Sequence, residues 1–69
     1  MEYSKYIVLL CLNDELSVKG ELDPKEIVEK YNINNRQMWS YIKNLKEYYS
    51  MFKNKTLVYN NTTKKYVLY

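Results

Sequence analysis

The first informative pattern of apolar residues covers residues 3–12. Apolar side chains recur there at spacings of three and four, which are typical of a helix: Tyr3, Tyr6, Ile7, Leu10 and Cys11. The other positions are mostly apolar as well, and a helix that is apolar nearly all round needs two packing partners. We expect the second partner to be another subunit, which predicts a homodimer through helix one, aided by the terminal strand. A strand over residues 7–12 is the alternative.

Residues 13–22 are polar and contain the single glycine, Gly20, so we interpret them as a loop with a short strand near residues 17–19. A second helix is predicted over residues 24–31. Three residues suit its start: Asp23 as N-cap, Pro24 at the first position, and Glu26 as the acceptor of a capping box. This helix is expected to bury Ile27, Val28 and Tyr31.

A third helix is predicted to begin after a two-residue connection, with Asn34 as N-cap and Gln37 as the reciprocal acceptor. Spacings of four, three and four place a stripe of apolar residues towards the core: Met38, Ile42, Leu45 and Tyr49. Tyr41, Tyr48 and Phe52 are expected along the flank of this stripe. The opposite face carries polar residues: Arg36, Ser40, Lys43, Asn44 and Glu47.

Beyond Ser50 the period changes from helical to extended. Residues 57–59 and 66–69 are β-branched, aromatic and aliphatic, and the turn-forming residues 60–65 separate them. The pattern predicts a hairpin with a cationic tip. We therefore expect one domain over residues 1–69 that is mainly α with a small β-hairpin, a three-helix winged helix-turn-helix.

Charge is unevenly distributed along the chain. Residues 1–33 hold four lysines against seven acidic residues, whereas residues 34–69 hold seven basic residues against Glu47 alone. A concentrated positive field attracts polyanions, chiefly nucleic acid or an anionic membrane surface. Helix three has few bulky apolar residues on its charged face, so nucleic acid is the better match and no membrane partner is expected.

Composition excludes several other classes of function. The chain has no histidine, a single cysteine and no glycine-rich phosphate loop, so we expect no metal site, no cofactor and no enzyme activity. Cys11 lies in an apolar run and is interpreted as a small hydrophobic residue. No signal peptide or membrane-length apolar run is visible, so a cytoplasmic protein is expected. Abundant Lys, Asn, Ile and Tyr indicate an AT-rich genome, such as that of some bacteria, phages and plasmids.

In a helix-turn-helix, the second helix enters the major groove of DNA. The candidate contacts on helix three are Asn34, Asn35, Arg36, Gln37, Trp39, Ser40 and Lys43. Arg36 can be bidentate to guanine, Asn35 and Gln37 to adenine, while Ser40 and Lys43 can hold phosphates. Trp39 is interpreted first as packing against the hairpin and second as a contact with a thymine methyl group. The candidate contacts on the wing are Asn60, Asn61, Thr62, Thr63, Lys64 and Lys65, with both lysines directed at phosphates.

The stretch over residues 27–45, followed by Tyr66 and Leu68, resembles the winged helix-turn-helix of DeoR-type and WYL-domain bacterial regulators. In that family an apolar residue precedes the helix cap and three more follow at fixed spacings, places held here by Ile33, Asn34, Met38, Ile42 and Leu45. The chain departs from the family where Lys65 replaces a wing glycine, Tyr41 an acidic residue and Ser40 a common basic one. The resemblance implies sequence-specific binding of double-stranded DNA.

Three roles are consistent with such a surface. The first is a transcriptional regulator or repressor of a bacterium, phage or plasmid. The second is a centromere-binding adaptor of a DNA partition system, similar to the TubR-type winged-helix proteins, which would hand DNA to a filament-forming partner. The third is a protein-interaction module that uses the same face of the winged helix.

Overall fold

A computed structural model describes residues 4–69. Its elements in chain order are α1 (Lys5–Lys19), β1 (Glu21–Leu22), α2 (Pro24–Tyr31), α3 (Asn35–Phe52), β2 (Leu57–Asn60) and β3 (Lys65–Leu68). Three helices and a small antiparallel sheet form a winged helix-turn-helix, which confirms the fold class expected from the sequence. Tyr3, which was assigned to the apolar pattern of helix one, lies outside the described residues.

The first helix is longer than its sequence pattern indicates. The loop expected from residue 13 and the strand expected near residues 17–19 are both wrong, because α1 continues to Lys19. The cause is a stripe of buried residues at intervals of four, Val8, Leu12 and Leu16, which extends beyond the obviously apolar segment. The helix ends at Gly20, whose φ of 74° is left-handed and whose amide donates to the carbonyl of Leu16 at 2.9 Å.

The residues of α1 that face the core also differ from those that the apolar pattern predicted. Tyr6, Ile7 and Leu10 were expected on the apolar stripe of a helix, but all three are exposed, whereas Leu9 and Cys11 are half-buried at the edge of the core. The alternative of a strand over residues 7–12 is wrong. The segment is apolar on both sides, so its pattern alone could not distinguish the face that packs inside the domain from the face that does not.

The second helix has the bounds that its caps predict. The side chain of Asp23 accepts a hydrogen bond from the amide of Lys25 at 3.1 Å, rather than from the amide of Glu26 that a capping box would use. Ile27 and Tyr31 are buried, as expected, and Val28 is half-buried. Left-handed Asn32 then ends α2, and α3 begins three residues later. This short turn holds the two helices of the helix-turn-helix together.

The predicted hairpin is present, and a third strand completes the sheet in the order β1-β3-β2. In the hairpin, Leu57 pairs with Leu68 and Asn60 with Lys65. On the other side of β3, Glu21 pairs with Val67 and Leu22 with Tyr66. A strand of two residues leaves no period in a sequence, which is why β1 was not foreseen. It ties the wing to the segment between α1 and α2 and so fixes the position of the wing.

The helices and the strands β1 and β2 contribute buried side chains to one apolar core, against which Tyr66 and Leu68 of β3 are partly buried. Its members are Val8, Leu12, Leu16, Leu22, Ile27, Tyr31, Met38, Tyr41, Ile42, Leu45, Tyr49 and Leu57. The predicted stripe of α3 is buried as expected. Of the three residues expected along its flank, Tyr41 is buried, Tyr48 is 41% exposed beside the buried Tyr49, and Phe52 is 71% exposed in the last turn, beyond the last buried residue of the helix.

Replacement of Leu16 by alanine tests the corrected length of α1. Leu16 is 1% exposed, so Leu16→Ala should lower the free energy of unfolding by about 2–5 kcal/mol, since it removes buried methyl groups and leaves a cavity. Val18, on the same helix, is 84% exposed, and Val18→Ala should change the free energy by less than about 0.5 kcal/mol. Chemical denaturation followed by circular dichroism measures both values. Equal effects at the two positions would contradict a helix through this segment.

Candidate nucleic-acid interface

The start of α3 is fixed by a closed capping box. The side-chain oxygen of Asn34 accepts from the amide of Gln37 at 2.8 Å, and the side-chain oxygen of Gln37 accepts from the amide of Asn34 at 3.1 Å. Both bonds are exposed, yet they hold the first turn in one conformation. The amides of Asn35 and Arg36 remain at the open end of the helix, where the macrodipole favours an anion.

The box limits what Gln37 can offer to a base. Bidentate recognition of adenine needs an acceptor and a donor from the same amide. In Gln37 the oxygen already accepts the bond from Asn34, which uses one of its two lone pairs and holds the amide in the orientation that the capping box requires. Asn35 and Arg36 are exposed and make no side-chain bond within residues 4–69, so the structure favours them over Gln37 as base-contacting side chains.

The exposed face of the first half of α3 is polar, basic and free of carboxylates. Arg36 and Lys43 are two turns apart on the same side, with Ser40 between them, and all three are exposed. Met38 and Ile42 point the opposite way into the core. The core therefore sets which face of the helix is presented to solvent.

Trp39 lies on the flank of this face and is 51% exposed. Its partial exposure leaves about half of the indole surface accessible to a partner. Lys46, seven residues further along the helix, is exposed on the same flank. Sequence reasoning missed Lys46, although its two-turn spacing from Trp39 carried the signal. The carboxylate of Glu47 follows directly and marks the end of the basic face.

The wing is built around Asn60. Its side-chain oxygen accepts from the amides of Thr62 and Thr63 at 2.9 and 3.2 Å, and its carbonyl accepts from the amide of Lys64 at 2.7 Å. Asn60 was predicted as a DNA contact, but its oxygen shapes the turn. The exposed tip consists of Asn61, Thr62, Thr63 and Lys64, and Lys64 adopts a left-handed φ of 60°.

The two wing lysines are electrostatically different. The ammonium group of Lys65 lies 3.2 Å from a carboxylate oxygen of Glu21, across the β1–β3 pairing. Both side chains are about two-fifths exposed, so water weakens the pair, but the carboxylate still offsets part of the charge of Lys65. Within residues 4–69 no carboxylate pairs with Lys64. Lys64 is therefore the better candidate of the two for a phosphate contact.

The wing lies beside the start of α3. Asn35, Thr63 and Lys64 share the rim of one cleft of about 480 Å³, whose α2 side carries Asp23 and Glu29. These carboxylates disfavour a polyanion deep in the cleft, so a phosphate backbone is expected on the outer rim.

Two tyrosines of the wing pack against each other at the inner edge of this surface. Tyr59 and Tyr66 are opposite each other in the β2–β3 pairing, with ring centroids 5.1 Å apart in an edge-to-face arrangement. Burial, and secondarily the neighbouring Tyr59, raises the pKa of the Tyr66 phenol above its usual value.

No protein-family model, curated protein or solved structure matches this chain. The resemblance to DeoR-type and WYL-domain regulators therefore stays a prediction. In the described part of the chain, no helix is long and apolar enough to cross a membrane. Residues 4–69 also contain no group of three His, Cys, Asp or Glu side chains placed to hold a metal ion.

Adjacent asparagines allow a matched test of the capping box. Asn34→Ala should lower the free energy of unfolding by about 1 kcal/mol, because it removes the acceptor of the Gln37 amide. In a domain of this size that corresponds to a fall in Tm of about 4–8 °C. Asn35→Ala, one residue further along, should change Tm by less than half of that amount. Thermal unfolding of the two variants measures the difference, and equal values would argue against the box.

Proposed function

We propose that this protein binds double-stranded DNA in a sequence-specific manner and acts as a transcriptional regulator of a bacterium, phage or plasmid. The first half of α3 would enter the major groove, and the wing tip would lie against the phosphate backbone. The observation that carries the proposal is the exposed face of Asn35, Arg36, Ser40 and Lys43. It has no carboxylate, its helix start is held by a capping box, and Lys64, which pairs with no carboxylate of residues 4–69, lies beside it.

The dimensions and chemistry of this face suit a major groove. A helix with its side chains is about 10–12 Å across, and the major groove of B-DNA is about 12 Å wide. Arg36 offers the planar pair of donors that matches O6 and N7 of guanine, and Asn35 offers a donor and an acceptor for adenine. Ser40, Lys43, Lys64 and the free amides at the start of α3 supply phosphate contacts.

Footprinting on the DNA that flanks the gene for this chain, at low and physiological salt, tests the proposal and separates its variants. One protected short palindrome would support an autoregulatory repressor. A ladder of regularly spaced protections that fills cooperatively would support the centromere-binding adaptor, with a filament-forming partition protein as its partner. The absence of protection at low salt would contradict DNA binding and favour the protein-interaction module, since electrostatic attraction to DNA is strongest there.

Arg36 is expected to specify sequence as well as to attract DNA. Arg36→Ala should weaken binding to the selected site by about 1–3 kcal/mol and reduce the preference for that site over random DNA. Arg36→Lys keeps the charge but loses the bidentate geometry, so affinity for random DNA should be retained while the preference still falls. Fluorescence anisotropy with both DNAs measures the two quantities. An unchanged preference in Arg36→Ala would show that α3 does not read bases at this position.

The wing lysines should differ in their contribution to salt-dependent binding. Lys64→Gln should reduce the slope of log K against log salt by about 1, because it removes one phosphate contact. Lys65→Gln should have a smaller effect, since Glu21 offsets the charge of Lys65. Lys53→Gln, at the C-cap of α3 and ten residues beyond Lys43, is the matched control for lost charge. A slope that changes equally in all three variants would indicate a general effect of net charge and no wing contact.

A further inference from the structure

A second surface, far from the basic face, is apolar. Six large apolar side chains, three on α1 and three near the end of α3, form what is called here the apolar patch: Tyr6, Ile7, Leu10, Tyr48, Met51 and Phe52. Their exposed fractions are 71%, 50%, 65%, 41%, 73% and 71% in that order. The core of the domain does not use these side chains, and the proposed DNA contacts do not involve them.

The patch is continuous across the two helices. A groove of about 450 Å³ runs between α1 and α3, and its lining is mostly apolar, with Tyr6 and Leu10 on one wall and Tyr48 on the other. The rings of Tyr48 and Phe52 extend it along α3, with centroids 5.6 Å apart. Ile7 and Met51 lie three residues from Leu10 and Tyr48 respectively, a spacing that makes them neighbours on their helices.

The area of the patch is that of a protein interface. With about 200 Å² for each large side chain when fully exposed, the six side chains leave roughly 700 Å² accessible to solvent. The largest apolar patch on an ordinary monomer is about 300–600 Å², and a stable interface buries about 800 Å² on each partner. The content of Tyr, Phe and Met, without a charged residue among the six, is also typical of the centre of an interface.

We infer that the occupant of this patch is a second copy of the same chain, related by a two-fold axis. A two-fold contact places a surface against its own copy, so any charge within it would face a like charge. None of the six side chains of the patch is charged, whereas the basic face of α3, which carries Arg36 and Lys43, would repel its own copy. Lys5 lies at the rim of the patch, with its ammonium 5.9 Å from the centre of the Tyr6 ring, where water remains accessible.

The position of the patch also suits DNA, a step that rests on the proposed function. Ser40, in the middle of the basic face, and Met51, in the patch, are eleven residues apart on one helix, which is about 16 Å. If the α3 helices of the two copies run antiparallel with the axis beside Met51, the two Ser40 residues lie about 33 Å apart. Successive major grooves on one side of B-DNA are about 34–36 Å apart. The dimer would therefore present both recognition helices to one side of the duplex.

The structure revises the expectation that helix one alone forms the dimer. Half of the patch comes from α3, and the α1 residues that contribute are the ones that the core leaves exposed. The terminal strand, expected as an additional contact, carries none of the six side chains.

Sedimentation of the full chain without DNA tests the dimer. The native protein should be a dimer at micromolar concentration. Leu10→Glu and Met51→Glu should each raise the dimer dissociation constant by at least about 100-fold, since a two-fold interface receives the buried charge twice. Asn61→Glu introduces the same charge at an exposed position of the wing, outside the patch, and should leave the dimer intact. Circular dichroism should show native helix content in all three variants, since each replaced side chain is exposed in the monomer.

A monomeric native protein, an assembly larger than a dimer, or equal behaviour of Leu10→Glu and Asn61→Glu would overturn the inference. Anisotropy with a single half-site separates this failure from failure of the proposed function. A native protein that is dimeric but does not bind DNA would overturn the function and leave the dimer standing. A native monomer that binds the half-site would overturn the dimer and leave the proposed function standing.

Discussion

The burial of one stripe of apolar side chains on α3 determines which side chains of this helix point to solvent. Met38, Ile42 and Leu45 pack into the core with side chains of α1, α2 and the sheet. Each large apolar side chain removed from water contributes about 1.5–3 kcal/mol, so rotation of the helix about its axis is strongly opposed. Arg36, Ser40 and Lys43 are exposed because of this packing, and the capping box at Asn34 fixes where their helix begins. The presentation of the basic face is thus a consequence of the core.

The same helix serves two surfaces along its length. Its first half is basic and polar on the exposed side, while its last turns expose the apolar side chains of Tyr48, Met51 and Phe52. Eighteen residues give α3 a length of about 27 Å, enough to separate the two surfaces. The small sheet completes the arrangement, since β1 holds the hairpin beside the start of α3. A domain of this size can therefore hold the proposed DNA-binding face and the proposed interface for a second copy without overlap.

The parts of the fold that were predictable are those with local causes. The caps at Asp23 and Asn34 and the apolar stripe of α3 indicated two helices and their turn, and the spacing of Leu57 to Leu68 indicated the hairpin. The parts that were missed depend on distant residues. Nothing local shows that Leu16 packs in the core, that residues 21 and 22 pair with β3, or that Glu21 offsets the charge of Lys65.

In the candidate site, too, the features with local causes were predictable and those that depend on the folded chain were not. The positions of Arg36, Ser40 and Lys43 on one exposed face followed from helical spacing and are confirmed, whereas their binding to DNA stays a prediction. The capping role of Gln37 was predicted from its spacing to Asn34 and is confirmed, whereas the turn-shaping role of Asn60 was not predicted, since an amide that shapes a turn looks the same in a sequence as one that reads a base. Only the hydrogen bonds in the folded chain distinguish these uses.

The most direct test of the central claim is an NMR titration of the isotope-labelled protein with its selected double-stranded DNA. The account predicts that the largest changes in amide chemical shift fall on residues 34–43 and on the wing tip, residues 61–64, with small changes along the exposed face of α1. Changes concentrated on α1 and α2, or none at low salt, would contradict the placement of α3 in the major groove.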